Sequence, residues 1–355
     1  MKSKVYFTAI KDSADISGIN LRLKRLLDES GLFGFLRKGE KAAVKIHFGE
    51  EGNTGFVRPE HTRVVFEAIC AKGASAFLSD TNTLYRGRRT NSADHLRLAL
   101  EHGFCRETTG MDVVIPDDTQ AAEELDVPVK GKLIRSAKLA RVFIDAPALV
   151  AVTHFKGHIL TGFGGALKNL GMGCATRRGK LAQHCDTAPV LYPENCAGCG
   201  ECAVVCPVKA VSVIKKKAVL DSAKCIGCAS CIAACPNTAL FIDMECGEKV
   251  QHKMVEYAAA VLQGKKGKAA FLNFAVRINK ECDCWGGANP RVAPDVGIFA
   301  SLDPVSVDKA SLDMVTEACG KDIFKEVHPE QDGVKYLEYA RDMGLGSLEY
   351  ELVTV

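Results

Sequence analysis

The sequence predicts an α/β protein with a mostly parallel sheet, interrupted by a small cysteine-rich α+β insert. Strand-like and helix-like segments alternate through residues 1–105 with short links, which is typical of βαβ units. The same patterns resume after residue 246, and eight of the 16 cysteines fall within 40 residues between the two parts. We therefore predict a discontinuous α/β domain, 1–186 and 246–355, around an insert at 187–245.

The N-terminal part contains three predicted strand–helix pairs. The strands are expected at 4–10, 42–48 and 74–79, and the helices at 20–30, 58–72 and 92–103. Leucines at helical spacing indicate the first helix. Pro59 suits the first turn of the second helix. Ser92 and Gly103 are typical start and stop residues for the third.

Further elements lie on both sides of the cysteines. A continuous apolar strand is expected at 149–153. The C-terminal part then contains predicted helices at 248–262, 305–319 and 333–342, and predicted strands at 269–276, 296–300 and 348–353. The sequence does not indicate the order of the strands in the sheet.

The composition excludes several classes of protein. Hydrophobic residues make up 47% and charged residues 25% of the 355-residue chain, as in packed globular proteins. Because 46 basic residues nearly balance 43 acidic ones, we expect no nucleic-acid partner. No apolar run approaches the roughly 18 residues of a membrane span, and the N-terminus lacks the pattern of a signal peptide. We expect a cytoplasmic protein without a membrane span.

The eight clustered cysteines form two runs of the pattern C-x2-C-x2-C-x3-C-P, 29 residues apart: Cys196, Cys199, Cys202 and Cys206, then Cys225, Cys228, Cys231 and Cys235. Three thiolates at two-residue intervals can surround one corner of an iron–sulfur cubane if the chain turns tightly, and Gly198 and Gly227 lie where it must. The fourth cysteine of each run is too far along the chain to close the same cluster, so it ligates the other one.

This spacing assigns two sets of ligands. Cluster I takes Cys196, Cys199, Cys202 and Cys235, and cluster II takes Cys225, Cys228, Cys231 and Cys206. The alternative is structural zinc, which favours paired C-x2-C units separated by a longer loop. The repeated trailing Cys-Pro fits zinc poorly.

Residues 190–243 resemble the bacterial two-cluster ferredoxin. The resemblance implies a ferredoxin-like α+β insert with two [4Fe-4S] clusters and one-electron transfer at low potential, for which an anaerobic source would be suitable. Five basic residues balance five acidic residues over 187–245. A neutral module suggests that one electron partner belongs to the same chain, with a redox protein as the other donor or acceptor.

A glycine-rich segment follows the strand at 149–153. Gly162, Gly164 and Gly165 precede a short helical stretch that carries Lys168 and Asn169. Glycines before a helix allow backbone N–H groups to point at an anion, so these five residues are a candidate cradle for a small carboxylate or phosphate. The alternative is a tight turn whose glycines serve packing.

Five further residues are candidates for catalysis. Lys156 would bind the anion, His154 or His158 would move protons, and Cys282 and Cys284 would form a thiol pair or ligate a metal. Cys174 and Cys185 are other possible ligands of an additional metal, although their spacing matches no defined motif. The alternative is that these thiols and imidazoles serve packing and hydrogen bonding.

The chain resembles a family of iron–sulfur proteins known as domain of unknown function 362. The resemblance rests on HFKGHILTGFGGALKNLGMGC (154–174), the two cysteine runs, CDC (282–284) and PDVGIFASLDPVSVDKASLD (294–313). It implies an α/β domain fused to a two-cluster ferredoxin, and no settled reaction.

Two functions from different classes follow from these observations. The first is an electron-transfer protein, an oxidoreductase if chemistry follows, whose clusters deliver single electrons to a small anionic ligand or cofactor in the α/β domain. The alternative is a non-enzymatic electron carrier or cofactor-assembly partner of another redox protein. A redox sensor is a third hypothesis.

Overall fold

The computed structural model describes residues 2–117, 120–185, 188–244 and 247–355. The first part of the chain runs through β1 (Ser3–Ala9), α1 (Ile16–Ser30), β2 (Lys41–Lys45), α2 (Pro59–Cys70), β3 (Ser75–Ser79), α3 (Ser92–Glu101), α4 (Arg106–Thr109), β4 (Asp112–Val114), β5 (Glu124–Pro128), β6 (Ser136–Ala140), α5 (Arg141–Asp145), β7 (Ala148–His154), β8 (Lys156–His158), β9 (Gly162–Gly164), α6 (Ala166–Gly171) and α7 (Arg177–His184).

The cysteine-rich segment contains only short elements, namely β10 (Val190–Leu191), α8 (Glu201–Val204), β11 (Val211–Ile214), β12 (Lys217–Leu220), α9 (Ser230–Ala234) and β13 (Leu240–Phe241). The chain then continues through α10 (Glu248–Leu262), β14 (Ala269–Ala275), β15 (Gly297–Ser301), α11 (Pro304–Cys319), α12 (Ile323–Val327), α13 (Gly333–Asp342) and β16 (Tyr350–Thr354). Within the described ranges, no helix has the length and apolarity needed to cross a membrane.

Eight strands form one large sheet in the order β16-β1-β15-β14-β7-β2-β3-β4. All neighbouring pairs are parallel except the two that β15 makes, with β1 and with β14. This confirms the α/β class and the mostly parallel sheet. Strands β14, β7, β2 and β3 therefore end at the same edge of the sheet, where open parallel sheets bind ligands.

Helices cover both faces of the sheet and bury two separate apolar cores. One core includes Leu23 and Leu26 of α1 and Val65 and Ile69 of α2. The other includes residues of α6, α10, α11 and α13, and also Cys202, Cys231 and Leu240 of the cysteine-rich segment. The insert thus shares its apolar packing with the second face of the α/β domain.

Local sequence accounts for the ends of α11. Asp303 caps its start, because the carboxylate accepts hydrogen bonds from the backbone N–H groups of Val305 and Ser306, both at 2.9 Å. Pro304 occupies the first turn, where its missing N–H costs nothing. Gly320 ends the helix in the left-handed region with φ 69°, which glycine adopts without strain.

Most predicted elements agree with the structure to within a few residues, and the differences have local causes. The cap of α3 is Asn91 rather than Ser92, since the Asn91 side chain accepts the N–H of Asp94 at 2.9 Å. The edge strand β4 and the hairpin β5–β6 were not predicted. The limits of the insert, at 186–187 and 245–246, lie outside the described residues.

A buried carboxylate joins α10 to the loop between β5 and β6. Glu256 is fully buried and accepts the backbone N–H groups of Lys132, Leu133 and Ile134 at 2.6–2.9 Å. The hydroxyl of Tyr339 donates to the same carboxylate at 2.6 Å. Because four donors bond to one charged acceptor, loss of this contact should lower the free energy of unfolding substantially.

We expect Glu256→Gln to lower the free energy of unfolding by about 2–4 kcal/mol, because the amide loses the charge and turns a donor toward other donors. Denaturation in urea measures the change. Glu248→Gln, at the exposed start of the same helix, is the control and should change it by about 0.5 kcal/mol or less. Equal effects for the two variants would contradict this role of Glu256.

Candidate functional site

The eight clustered cysteines line two separate cavities. Cys196, Cys199, Cys202 and Cys235 line the first, and Cys206, Cys225, Cys228 and Cys231 line the second. Each cavity therefore combines the first three cysteines of one run with the last cysteine of the other. The structure brings together the same sets of four that the spacing assigns to two clusters.

Backbone geometry around the cavities repeats with the sequence. The N–H of Ala210 donates to the sulfur of Cys206 at 3.1 Å, and the N–H of Ala239 donates to Cys235 at 3.2 Å, so each fourth cysteine receives a bond from four residues onward. Gly198 and Gly227 both have φ 71°. A Cβ at Gly198 would collide with the carbonyl of Lys216, so this tight turn requires glycine.

The pKa values of the cavity cysteines are shifted in both directions. The N–H groups of Ala218 and Gly198 lower the pKa of Cys196. Burial, and then the neighbouring sulfurs of Cys228 and Cys225, raise the pKa of Cys231 to about 12. Four thiols cannot all ionise in such a space without a cation to offset their repulsion. Over the described residues, no group of three or more His, Cys, Asp and Glu side chains is arranged to hold a metal ion.

A second group of functional side chains lies where β2, β3 and β7 end. Lys45, the last residue of β2, is fully buried, and its amine lies 2.9 Å from the carboxylate of Asp80, which follows β3. Asn169 accepts a hydrogen bond from the same amine at 2.7 Å. Burial disfavours ionisation of Asp80, but Lys45 and its other cationic neighbours prevail and lower its pKa.

Arg89 brings two more polar groups to this edge. Its guanidinium lies 3.1 Å from the carboxylate of Glu50 and 3.1 Å from Nε2 of His47. Burial, and then the charges of Arg89 and Lys156, hold the pKa of His47 well below its ordinary value. His47 is therefore neutral, and its Nδ1 accepts the N–H of Gly49 at 3.0 Å.

Asp283 forms the next buried group with two of the predicted residues. Its carboxylate lies 2.8 Å from Nδ1 of His154 and 3.2 Å from the amine of Lys156. Burial opposes its ionisation, yet His154 and Lys156 hold its pKa well below the usual range. The other ring nitrogen of His154 faces the carbonyl of Val276 at 3.1 Å. Both ring nitrogens thus face hydrogen-bond acceptors.

Cys282 and Cys284 flank Asp283, and both meet polar partners. The amine of Lys168 donates to the sulfur of Cys282 at 3.3 Å, and the hydroxyl of Tyr85 donates to Cys284 at 3.4 Å. A hydrogen bond from Cys284, and then the charges of Lys168 and Lys156, hold the pKa of Cys282 well below that of an ordinary thiol despite burial. Its bond to Cys282, together with burial, raises the pKa of Cys284.

The predicted anion cradle carries an internal carboxylate. The N–H groups of Ala166 and Leu167, at the start of α6, donate to Asp308 of α11 at 2.6 and 3.0 Å, and a Cβ at Gly165 would collide with that side chain. Gly162 and Gly164 belong to the hairpin β8–β9. Of the residues predicted there, Lys168 and Asn169 reach the sheet edge, whereas the glycines pack against neighbouring chain. An external anion at these glycines stays a prediction.

The remaining candidates lie around or behind this edge. His158 is buried, and its Nδ1 accepts the N–H of Leu160 at 3.2 Å. Burial, and then Lys168, hold its pKa well below normal. Burial raises the pKa of the Cys174 thiol to about 12, and the sulfur of Cys185 accepts the N–H of Asp243 at 3.3 Å. These contacts are typical of residues that serve packing and hydrogen bonding.

Sequence reasoning missed several residues of the sheet-edge site. Lys45 offered a signal, since a lysine at the end of an apolar strand needs a buried partner. Asp283 offered a second signal, because it lies between two cysteines. Arg89 and Tyr85 lie in a polar loop without any pattern that marks them. Asp308 lies in a helix whose apolar spacing accounts for its neighbours but not for a buried carboxylate.

The insert contacts the α/β domain close to the sheet-edge site. The ring of Phe241 lies 6.1 Å from the ring of Tyr85, measured between centroids, and Tyr85 reaches Cys284. The guanidinium of Arg177 donates to the carbonyl of Ala229 at 2.9 Å, and Ala229 lines the second cysteine cavity. Two side chains of the α/β domain therefore make this contact. Tyr85 joins the thiol pair to Phe241, and Arg177 joins the domain to the wall of the second cavity.

Fold and sites together define an α/β protein with a buried ionic site at its sheet edge and an attached cysteine-repeat unit. The chain belongs to the family described as domain of unknown function DUF362, which it matches over residues 42–313. This confirms the resemblance to that family. No curated protein matches the chain.

Two solved structures are similar in outline. The lactate racemase apoprotein from Thermoanaerobacterium thermosaccharolyticum has a TM-score of 0.40 and 14% identity over 76% of this chain and 50% of its own. A Thermotoga maritima protein solved by structural genomics has a TM-score of 0.41 and 11% identity over 88% of this chain and 60% of its own. The chain thus spans only half to three-fifths of the length of these proteins.

Buried histidines make stability depend on pH, and His95 and His184 are two of them. Burial lowers the pKa of His95 and of His184 to about 3, whereas an unfolded histidine titrates near 6.5. Above pH 6.5 both states are neutral and stability is complete. As the pH falls from 6.5 toward about 3, only the unfolded chain gains the proton, so stability is lost.

We expect each of these histidines to cost about 1.4 kcal/mol of unfolding free energy between pH 7.5 and 5.5. His95→Gln should remove the contribution of one histidine. The loss of unfolding free energy between pH 7.5 and 5.5 should therefore be about 1.4 kcal/mol smaller in this variant. Urea denaturation at both pH values measures it. A variant with the same pH dependence as the parent would contradict a neutral, buried His95.

Proposed function

We propose that this protein is an iron–sulfur electron-transfer protein. In this proposal two [4Fe-4S] clusters are held in the two cavities, the first by Cys196, Cys199, Cys202 and Cys235 and the second by Cys225, Cys228, Cys231 and Cys206. The observation that carries the proposal is that each cavity is lined by four cysteines drawn from both runs. When bound, the clusters supply one-electron transfer.

The residues present fit such a group chemically. A cubane takes one thiolate on each of four irons, so its ligands surround a volume instead of converging on a single point. The N–H groups of Ala210 and Ala239 donate to cysteine sulfurs, and such bonds stabilise sulfur ligands and tune their potential. A single zinc ion instead needs four sulfurs around one point.

The electron acceptor in this proposal is the site at the sheet edge. The contact between Phe241 and Tyr85 and the bond from Tyr85 to Cys284 form a short packed route from the insert to that site. Lys156 and Lys168 supply positive charge there. His154 binds Asp283 in the same group, and His158 lies close enough for Lys168 and Lys156 to lower its pKa. A small anionic ligand or cofactor would bind near Lys168, and a separate redox protein would supply the electrons.

The second candidate is a non-enzymatic electron carrier or cofactor-assembly partner. The internal pairing of the site favours it, because Lys156 and His154 both bind Asp283 and Asp308 takes the amides of α6. Under this alternative, reduced clusters lose electrons at the same rate whether Lys156 is present or replaced by Met. Under the first candidate, the rate with the small anionic ligand falls in Lys156→Met.

The cross-linked ligand sets make a specific prediction about pairs of cysteines. The double variant Cys196→Ser/Cys235→Ser should lose one cluster only, leaving about four irons per chain of the about eight expected. Cys196→Ser/Cys206→Ser removes ligands from both sets and should lose both clusters. Iron and acid-labile sulfide are measured on protein purified without oxygen.

Cys319→Ser, at a half-buried thiol outside both cavities, is the matched control and should keep the full iron content. The opposite pattern, in which Cys196→Ser/Cys206→Ser retains one cluster and Cys196→Ser/Cys235→Ser retains none, would assign each run to its own cluster and refute the cross-linked sets. Parent protein with zinc in place of iron would refute the proposed function itself.

A further inference from the structure

Cys282 and Cys284 lie in a tight turn that is held in place by the buried residue between them, Asp283. The N–H of Trp285 donates to the carbonyl of Cys282 at 2.9 Å, so both thiols lie within one turn of the chain. Asp283, between them, is fully buried and held by His154 and Lys156. This anchor holds the two cysteines together without using either sulfur.

The two thiols differ in their electrostatic environment. Lys168, 3.3 Å from the sulfur of Cys282, favours its thiolate form. Cys284 instead accepts a hydrogen bond from the hydroxyl of Tyr85 at 3.4 Å, and the pKa of its thiol is raised by Cys282 and by burial. One ionised and one protonated sulfur in a single turn of the chain is the asymmetry on which dithiol–disulfide pairs depend, because the thiolate attacks and the thiol supplies the second sulfur.

The surroundings argue against a metal ion on this pair. Among the described residues, no third His, Cys, Asp or Glu completes a metal site with these two sulfurs. Two cations, Lys168 and Lys156, and one anion, Asp283, act on the sulfur of Cys282. Cys284 lies near the cationic Arg89 and the neutral Tyr85. Positive charge at these distances repels a second cation and stabilises a thiolate.

We propose that Cys282 and Cys284 form a redox-active pair that reduces small disulfides. The Cys282 thiolate attacks one sulfur of the substrate, the substrate S–S bond breaks, and one thiolate leaves. Cys284 then loses its proton and attacks Cys282. An S–S bond forms between the two cysteines. The second half of the substrate takes up the proton from Cys284 and leaves as a thiol. The half-buried Cys284 beside the exposed Trp285 suits a small molecule better than a protein surface.

Regeneration of the pair rests on the proposed function. Breaking the Cys282–Cys284 bond takes two electrons and one proton and returns one thiolate and one thiol. Two clusters that each carry one electron match this requirement. Tyr85, in contact with both Phe241 of the insert and Cys284, lies between the cluster-binding segment and the pair.

The experiment uses the full chain purified without oxygen, with 2-hydroxyethyl disulfide as the probe. After treatment, free thiols are alkylated and the peptide that carries residues 282–284 is weighed. We expect it to lose two hydrogens and resist alkylation. Reduced methyl viologen, a one-electron donor, should then restore two alkylatable thiols. Cys282→Ser and Cys284→Ser should abolish the linkage, whereas Cys319→Ser should retain it.

The outcomes separate this inference from the proposed function. Iron-loaded, reducible protein in which both thiols stay alkylatable after the disulfide would overturn the redox pair and leave the clusters intact. A pair that links and is reopened by a small thiol, in protein that lacks iron and does not respond to methyl viologen, would overturn the clusters as electron source.

Lys168→Met tests the electrostatics of the pair independently. At pH 7 it should slow alkylation of Cys282 by iodoacetamide about tenfold or more, since the thiolate loses its counter-charge. Lys72→Met, at an exposed position, is the control and should leave that rate unchanged. Unchanged alkylation in Lys168→Met would contradict a thiolate held by Lys168.

Discussion

The cysteine-rich segment depends on one constraint, that each cysteine cavity is completed by the other half of the repeat. Cys235 reaches back to the cavity of the first run, and Cys206 reaches forward to that of the second. Neither half can therefore form its cavity alone. The hairpin β11–β12 joins the halves, while α8 and α9 pack against each other. A group bound in either cavity would stabilise both halves together.

The α/β domain provides a different type of site, built from buried opposite charges. Lys45 with Asp80, Arg89 with Glu50, and Lys156 with Asp283 are close pairs of low exposure. Buried charges are costly unless they are paired, so these side chains restrain one another and the three strand ends that carry them. Lys168 differs from these lysines and arginines because its close partner is the sulfur of Cys282 and not a carboxylate. A thiolate, unlike a carboxylate, loses its charge when it is oxidised to a disulfide.

Much of the fold could be predicted from the sequence because its signals are local. Leucine spacing, Pro59 and the Asp303–Pro304 start indicate helices directly, and the repeated cysteines indicate which four belong together. The antiparallel direction of β15 could not be read, since it is decided by pairing with β1 and β14 across long stretches of chain. The edge strand β4 has three residues and too little pattern to recognise.

The sheet-edge site was predictable only where polar residues follow apolar strands. His154, Lys156, Lys168, Cys282 and Cys284, which were predicted, lie there, but the partners Asp283 and Tyr85 are decided by tertiary packing. The glycine segment illustrates the limit most clearly. Its sequence fits an anion cradle, yet the carboxylate that its amides bind is Asp308, which is 142 residues away in sequence and carries no local signal.

The most direct measurement is X-ray diffraction at the iron absorption edge, on crystals grown without oxygen. We predict two compact groups of four iron positions each. One group should lie among Cys196, Cys199, Cys202 and Cys235, and the other among Cys206, Cys225, Cys228 and Cys231. Single zinc ions at these cysteines, or a folded insert whose eight thiols bind no iron under those conditions, would contradict it.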